Sequence, residues 1–210
     1  MIQVEDLCIE QGGFRLEHIS FTIEDGKYAV LMGRSGCGKT TIIEAICGLR
    51  KVTRGHVRLS DREVTSLRPA ERNIGYVPQD VALFPGYKVR DQLAFSLVVR
   101  DAPEARIAER VEHMAGLLGI EHLLDRMPEG LSGGEAKRVA LGRALVPQPE
   151  VLCLDEPLSN LDEDINAEMV ELLGSTIRQE AVTVLHITHS RHEADRLADI
   201  RLSLVDGVMV

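Results

Sequence analysis

At 210 residues the chain is long enough to bury a substantial core, and its 44% hydrophobic and 27% charged content is that of a soluble globular protein. A formal charge of −9 argues against a broad nucleic-acid surface, which needs clustered Lys and Arg, while leaving room for a local basic patch. No apolar stretch approaches bilayer-spanning length and the first residues lack the basic region and apolar core of a signal peptide, so a cytosolic chain is expected. Cys8, Cys37, Cys47 and Cys153 form no C-x-x-C pair, which suggests neither a zinc knuckle nor a disulfide framework.

Residues 2 to 60 read mainly as strands, with alternation through Ile19, Phe21 and Ile23 and again through Val57 and Leu59. Within them the apolar run Tyr28 to Met32 leads into Gly33-Arg34-Ser35-Gly36-Cys37-Gly38-Lys39-Thr40, which fits the phosphate-binding pattern G-x-x-x-x-G-K-[ST] at every specified position. A helix follows, carried by Ile42, Ile46 and Leu49. Strand, glycine-rich loop and helix amino end together aim backbone N–H groups and a positive dipole at one point, so the loop is expected to hold a nucleoside triphosphate. Lys39 would reach the β- and γ-phosphates and the Thr40 hydroxyl would ligate Mg²⁺. Thr41 is counted with the nucleotide-contacting residues. Cys37 lies inside the loop, where packing rather than reactivity is its expected role.

From about Val89 to Leu124 the period becomes helical, with Ile107, Val111, Met114 and Leu118 at spacings of four, three and four, and the block reads as a helical insertion. Leu131-Ser132-Gly133-Gly134-Glu135 then opens a helix, and Ser132-x-x-Glu135 has capping-box spacing. Taken alone this is a common structural device, although two glycines and a helix amino end also suit a phosphate. Val151 to Leu154 is an apolar run ending in Asp155-Glu156, as in a strand buried on both faces with its acids at the ligand-binding edge. Asp155 would then stand on the Mg²⁺ side and Glu156 would polarise an attacking water, or the pair is simply a polar strand end. A helix with Ile165, Met169, Leu172 and Leu173, a strand Val182 to Ile187, and a strand, turn and strand over Ile200 to Val210 complete the chain. Strands alternating with helices predict an α/β layer with parallel strands.

The ordered set resembles the nucleotide-binding subunit of an ATP-binding cassette (ABC) transporter over nearly the whole chain. It comprises the phosphate loop, Gln79 in Tyr76-Val77-Pro78-Gln79, the signature Leu131 to Glu135, Asp155-Glu156, Ser159-Asn160-Leu161-Asp162, and His189 in Ile187-Thr188-His189. The resemblance implies a P-loop NTPase of the ABC ATPase fold: a single 1–210 nucleotide-binding domain, with a parallel-sheet core, an antiparallel β subdomain and a helical subdomain inserted at approximately 86–130. It implies two cassettes stacked head to tail, so that Ser132, Gly133 and Gly134 of one face ATP held by the other and Asp162 acts across the dimer. Gln79 would contact Mg²⁺ and the attacking water, and His189 the γ-phosphate. Singly, Gln79 also reads as a loop residue, His189 as a helix cap and Asp162 as a charge favoured at a helix amino end.

Three positions depart from or strain the pattern. Glu135 stands where the family commonly has Gln, adding negative charge near a phosphate; Asn160 replaces a usual small residue; and Phe14 is the candidate adenine-stacking aromatic, with core packing as the alternative. The stretch Leu83-Phe84-Pro85 through Val89 to Leu97 resembles importer cassettes. This implies integral membrane permease subunits as partners on the cytoplasmic face, and an extracytoplasmic substrate-binding protein beyond them. No regulatory domain follows Val210 in this sequence, so regulation through one is not expected. A soluble ABC ATPase acting on nucleic acid, ribosomes or cofactor assembly would keep every ATP-site motif; acidic charge and the importer-like stretch weigh against it. A small-molecule P-loop kinase would leave the signature and His189 without a role.

Overall fold

A computed structural model describes residues 1–210 apart from the side chain of Gln11, and the chain divides into two compact units. The first comprises Met1–Tyr76, Glu150–Glu156 and Ala181–Val210; the second, Val77–Pro149 and Pro157–Glu180.

In the first unit, β1 (Ile2–Gln11) and β2 (Phe14–Ile23) form a hairpin that joins β4 (Arg54–Leu59) and β5 (Arg62–Glu63) in an antiparallel sheet of order β2-β1-β4-β5. Its inner face carries Ile2, Val4, Leu7, Ile9, Leu16, Ile19 and Val57, all buried. A six-stranded sheet has the order β10-β9-β3-β8-β7-β6. β3 (Tyr28–Gly33) lies between β8 (Thr183–Ile187) and β9 (Ile200–Val205), parallel to both, and β7 (Val151–Asp155) runs parallel to β8. β6 (Ile74–Val77) and the short β10 (Val208–Met209) close its edges.

Every residue of β7 and β8 is buried, which is why neither alternates: β7 is apolar up to Asp155, and β8 is apolar apart from Thr183 and His186. Helix α1 (Lys39–Cys47) buries Ile42, Ile43, Ala45 and Ile46 in the same core as both sheets. Each of the three isoleucines contributes roughly 1.5–3 kcal/mol of transfer free energy, and the alanine less. The Asp206–Gly207 turn has positive φ at both residues, as a two-residue hairpin of type I′ requires.

The second unit is helical: α2 (Val89–Val98), α3 (Glu104–Leu118), α4 (Gly133–Leu145) and α5 (Glu163–Glu180). Helices α2, α3 and α4 pack on one another, and α3 also meets α5. Leu93, Leu97, Val111, Met114, Leu118, Val139 and Leu145 are buried. Gly142 lets α4 approach closely, since a Cβ there would lie 2.7 Å from Leu93 Cδ2 and 2.9 Å from Leu118 Cδ1. Arg110 pairs with Glu180 at 2.7 Å with both side chains largely buried, and the same guanidinium bonds the Leu145 and Val146 carbonyls at the end of α4. On α5, Met169 and Leu173 point inward as their spacing predicts, whereas Ile165 is exposed, one turn too early to reach the core. Helix α6 (Arg191–Leu197) follows β8 in the first unit, with the Ser190 side chain accepting from Glu193 N–H.

Candidate nucleotide site

β3 delivers the Gly33–Thr40 loop to the amino end of α1, and Arg34, Ser35, Gly36 and Thr40 are exposed while Cys37 and Thr41 are half-buried. No side chain caps α1 and its first turn holds no acidic residue, so its free N–H groups and dipole favour an anion. Lys39 is buried against this loop, its Nζ donating to the Gly33 and Arg34 carbonyls at 2.9 and 3.0 Å. The lysine is thus folded over the loop, with its charge already at the place where an anion would gather. Cys37 packs partly against the core, in keeping with a packing role.

Gly38 has φ 106°, and a Cβ there would fall 2.7 Å from Phe14 Cζ and 2.8 Å from Leu16 Cδ1. Phe14, at the start of β2, is 37% exposed and stands outside the buried core, its ring edge against the loop backbone.

At the carboxyl edge of the same sheet, Asp155 ends β7 and is only 2% exposed. Burial pushes its pKa up, a hydrogen bond from the Thr40 hydroxyl opposes that, and the neighbouring Glu156 and Glu44 charges push the same way as burial. A threonine hydroxyl and a desolvated carboxylate bonded to one another form an all-oxygen donor set, which fits Mg²⁺. Glu156 adopts φ 45°, in the left-handed region, and its N–H donates to the Ile187 carbonyl at 2.9 Å. The strained backbone carries its carboxylate to within 3.4 Å of His189 Nδ1, whose ring is mostly exposed. Lys39, Thr40, Asp155, Glu156 and His189 are therefore brought together at one sheet edge.

The remaining residues expected from the sequence lie in the second unit. Gln79 is exposed, two residues beyond the end of β6. Ser132 caps α4 in a reciprocal box: its hydroxyl accepts from Glu135 N–H at 3.3 Å, and its own N–H donates to Glu135 Oε2 at 2.7 Å. That backbone bond holds the Glu135 carboxyl below its ordinary pKa, so the substituted residue carries full charge at the helix end. Gly133 is exposed and Gly134 buried, a Cβ on the latter meeting Ile165 at 3.3 Å. Asn160 has φ 58°, a conformation that Asn tolerates better than most residues and that accounts for its presence. Asp162 immediately precedes α5, its carbonyl accepting from Asn166 N–H at 2.8 Å.

Two arrangements escape sequence reasoning. Lys137 on α4 donates to the Pro157 carbonyl at 2.8 Å and to that of Ser159, pinning the segment that leads to Asp162. Within the parallel strands, Tyr28 Oη and His186 Nδ1 are 2.9 Å apart, both buried, and the Glu193 carboxylate stands 3.4 Å from His186 Nε2. The only signal for the second is one Tyr and one His inside apolar strands.

The family described as ABC transporter matches residues 16–159. The molybdate/tungstate import ATP-binding protein WtpC of Pyrococcus horikoshii is 41% identical over 199 residues, covering 95% of this chain and 58% of that protein. The sn-glycerol-3-phosphate import ATP-binding protein UgpC of Cupriavidus pinatubonensis is 43% identical, covering 93% and 53%. The chain therefore spans just over half the length of these two curated relatives. Among solved structures, a dimeric post-hydrolysis state of the ATP-binding cassette MJ0796 bound to ADP and Pi superposes with a TM-score of 0.86 at 24% identity, covering 99% of this chain and 96% of that one. The fold is that of an ABC ATPase cassette, and the chain belongs to the ABC transporter family. Among the described residues, no helix is long and apolar enough to cross a membrane.

Proposed function

We propose that this chain binds and hydrolyses ATP as the motor subunit of an ABC importer. The observation that carries this reading is the single sheet edge at which an uncapped helix end, Lys39, the Thr40–Asp155 pair and the Glu156–His189 pair converge. The loop N–H groups and Lys39 bind the phosphates, with Lys39 exchanging its two carbonyl partners for phosphate oxygens. Gly33 through Thr41 surround the triphosphate, and Phe14 stacks on the base. Thr40, Asp155 and Gln79 hold Mg²⁺, which when bound neutralises charge between the phosphates. Glu156 accepts a proton from the attacking water, while His189 and Gln79 orient the water and the γ-phosphate.

A second cassette completes the site: its Ser132, Gly133 and Gly134 meet the nucleotide and its Asp162 acts across the interface. The import ATP-binding relatives support permease partners; on this reading the chain sits on their cytoplasmic face, with an extracytoplasmic substrate-binding protein beyond them. The segment after Gln79 presents a suitable docking surface. Phe84, Tyr87 and Phe95 form an aromatic cluster with centroids 4.7 to 6.2 Å apart, braced by Arg143 over the Phe84 ring and by Gln92 bonded to the Phe84 backbone. Tyr87 and Phe95 stay substantially exposed.

The test is ATP turnover and sedimentation of Glu156→Gln beside the unchanged chain. Retained ATP binding, lost turnover and an ATP-dependent dimer are expected; turnover at the unchanged rate would remove Glu156 from the mechanism. Tagged chain recovered from membranes in mild detergent should bring a multi-span membrane protein in stoichiometric amount. Recovery with soluble partners alone would move the reading to a non-transport ABC ATPase.

A further inference from the structure

Midway along the β1–β2 hairpin, the alternation of the antiparallel sheet fails twice. Inward positions on β1 run Val4, Leu7, Ile9, so a step of three precedes a step of two. The ladder pairs Val4 with Phe21, Leu7 with Ile19 and Ile9 with Leu16. Between the first two pairs β1 has Glu5 and Asp6 against Ser20 alone; between the next two, β2 has Glu17 and His18 against Cys8 alone. These are facing bulges, one per strand, and each contains a non-glycine residue in the left-handed region, Asp6 at φ 47° and His18 at φ 57°. Bulges re-aim side chains. Here the result is that Asp6, Cys8 and His18 gather on the outer face, opposite buried Leu7 and Ile19.

One donor atom from each of the three lies within 4.8 Å of the other two. Asp6 Oδ1 is 2.6 Å from His18 Nδ1, and Cys8 Sγ contacts the Asp6 carbonyl at 3.7 Å. The other Asp6 oxygen is held by Arg54 at 2.8 Å, an orienting contact that leaves Oδ1 facing His18 as the oxygen to be offered to a metal. The strained backbone is fixed from behind. Thr53 bonds the Cys8 carbonyl through both its N–H and its hydroxyl at 2.9 Å, and a Cβ on Gly55 would lie 2.3 Å from the Asp6 carbonyl oxygen.

We propose that Asp6, Cys8 and His18 form a binding site for one divalent transition-metal ion of the zinc class. One sulfur, one nitrogen and one oxygen donor select a borderline ion over Mg²⁺ or Ca²⁺, which take all-oxygen shells. Bonds of about 2.0–2.3 Å place tetrahedral ligands roughly 3.3–3.8 Å apart, so the donors need shifts of about an ångström or less. On binding, the Cys8 thiol loses its proton to solvent as the metal–sulfur bond forms, the Asp6–His18 hydrogen bond opens, and water takes the fourth position. The bound ion would clasp the two strands of the hairpin together. Nothing in this site draws on the ATP site.

The experiment is a Co²⁺ titration of the chelator-treated full chain without nucleotide, read by thiolate-to-cobalt charge-transfer absorption. Oxygen donors such as Thr40 and Asp155 give no such band. The expected result is a band saturating at one equivalent, displaced by Zn²⁺, absent in Cys8→Ser and unchanged in Cys37→Ser. His18→Asn, which tolerates the left-handed backbone, should weaken binding by at least about tenfold, since even outer contacts cost that much. The absence of a band, its persistence in Cys8→Ser, or its indifference to His18→Asn would overturn the site; should Cys8→Ser fail to fold, His18→Asn decides alone.

Discussion

Asp155 shows what a buried carboxylate costs a fold. Its pKa lies above the ordinary 3.8, with burial as the first cause, so the folded chain holds this proton more tightly than the unfolded one. Stability from this group is therefore greatest at low pH and falls as pH rises through and beyond that value. Asp155→Asn should flatten the dependence and raise the melting temperature of the nucleotide-free chain at neutral pH, while weakening the stabilisation given by Mg²⁺ and ATP. A lower melting temperature without nucleotide would contradict this account. Tyr28 is a second case: Tyr28→Phe strands His186 Nδ1 inside the protein and should cost about 1–3 kcal/mol in denaturant unfolding. An effect within error would mean the ring contact alone matters. That the acids after the Val151 run and the lysine of the loop meet at one sheet edge was legible, because a strand–loop–helix pattern and an apolar run ending in acids fix where those residues fall. The Asp6 and His18 bulges were not, since a left-handed φ leaves no mark on composition; only the three-residue step from Val4 to Leu7 hinted at one.

Among elements, helices followed their apolar period closely where a single face is buried, as in α3 with Val111, Met114 and Leu118. The period failed at Ile165, because a helix's first turn can extend past the surface its later turns cover. Nor did periodicity give the closeness of packing, which resides in Gly142. Gly142→Leu should force α4 from α2 and α3 and destabilise the protein by about 1–3 kcal/mol, despite the better helix propensity of leucine. Unfolding at an unchanged denaturant midpoint would show that Leu93 and Leu118 can yield. The reciprocal box at Ser132 is equally an element-scale device: it secures the start of α4 and fixes the Glu135 charge at that end.

At the scale of the molecule, the phosphate loop, Asp155 and His189 all belong to the first unit although residues 34, 155 and 189 are distant in the chain. Nucleotide binding should accordingly protect amides of the Gly33–Thr40 loop and α1 from hydrogen exchange. It should also raise stability by about 2.7 kcal/mol when ATP is present at a hundredfold its dissociation constant. Lys39→Ala should abolish both effects; equal protection in that variant would exclude the lysine from phosphate binding. What the sequence could not convey is that the second unit is made of two stretches, with β7 returning to the first between them.

That interleaving dictates an order of events during synthesis. β3 and its phosphate loop leave the ribosome early, yet the neighbours of β3 are β8, pairing Tyr28 with Val184, and β9, pairing Ala29 with Ile200. The phosphate loop is thus translated well ahead of residues 183–205, and the ATP site cannot take shape until they follow. Between those two points the nascent chain carries a nucleotide-binding loop whose strand still lacks both of its neighbours.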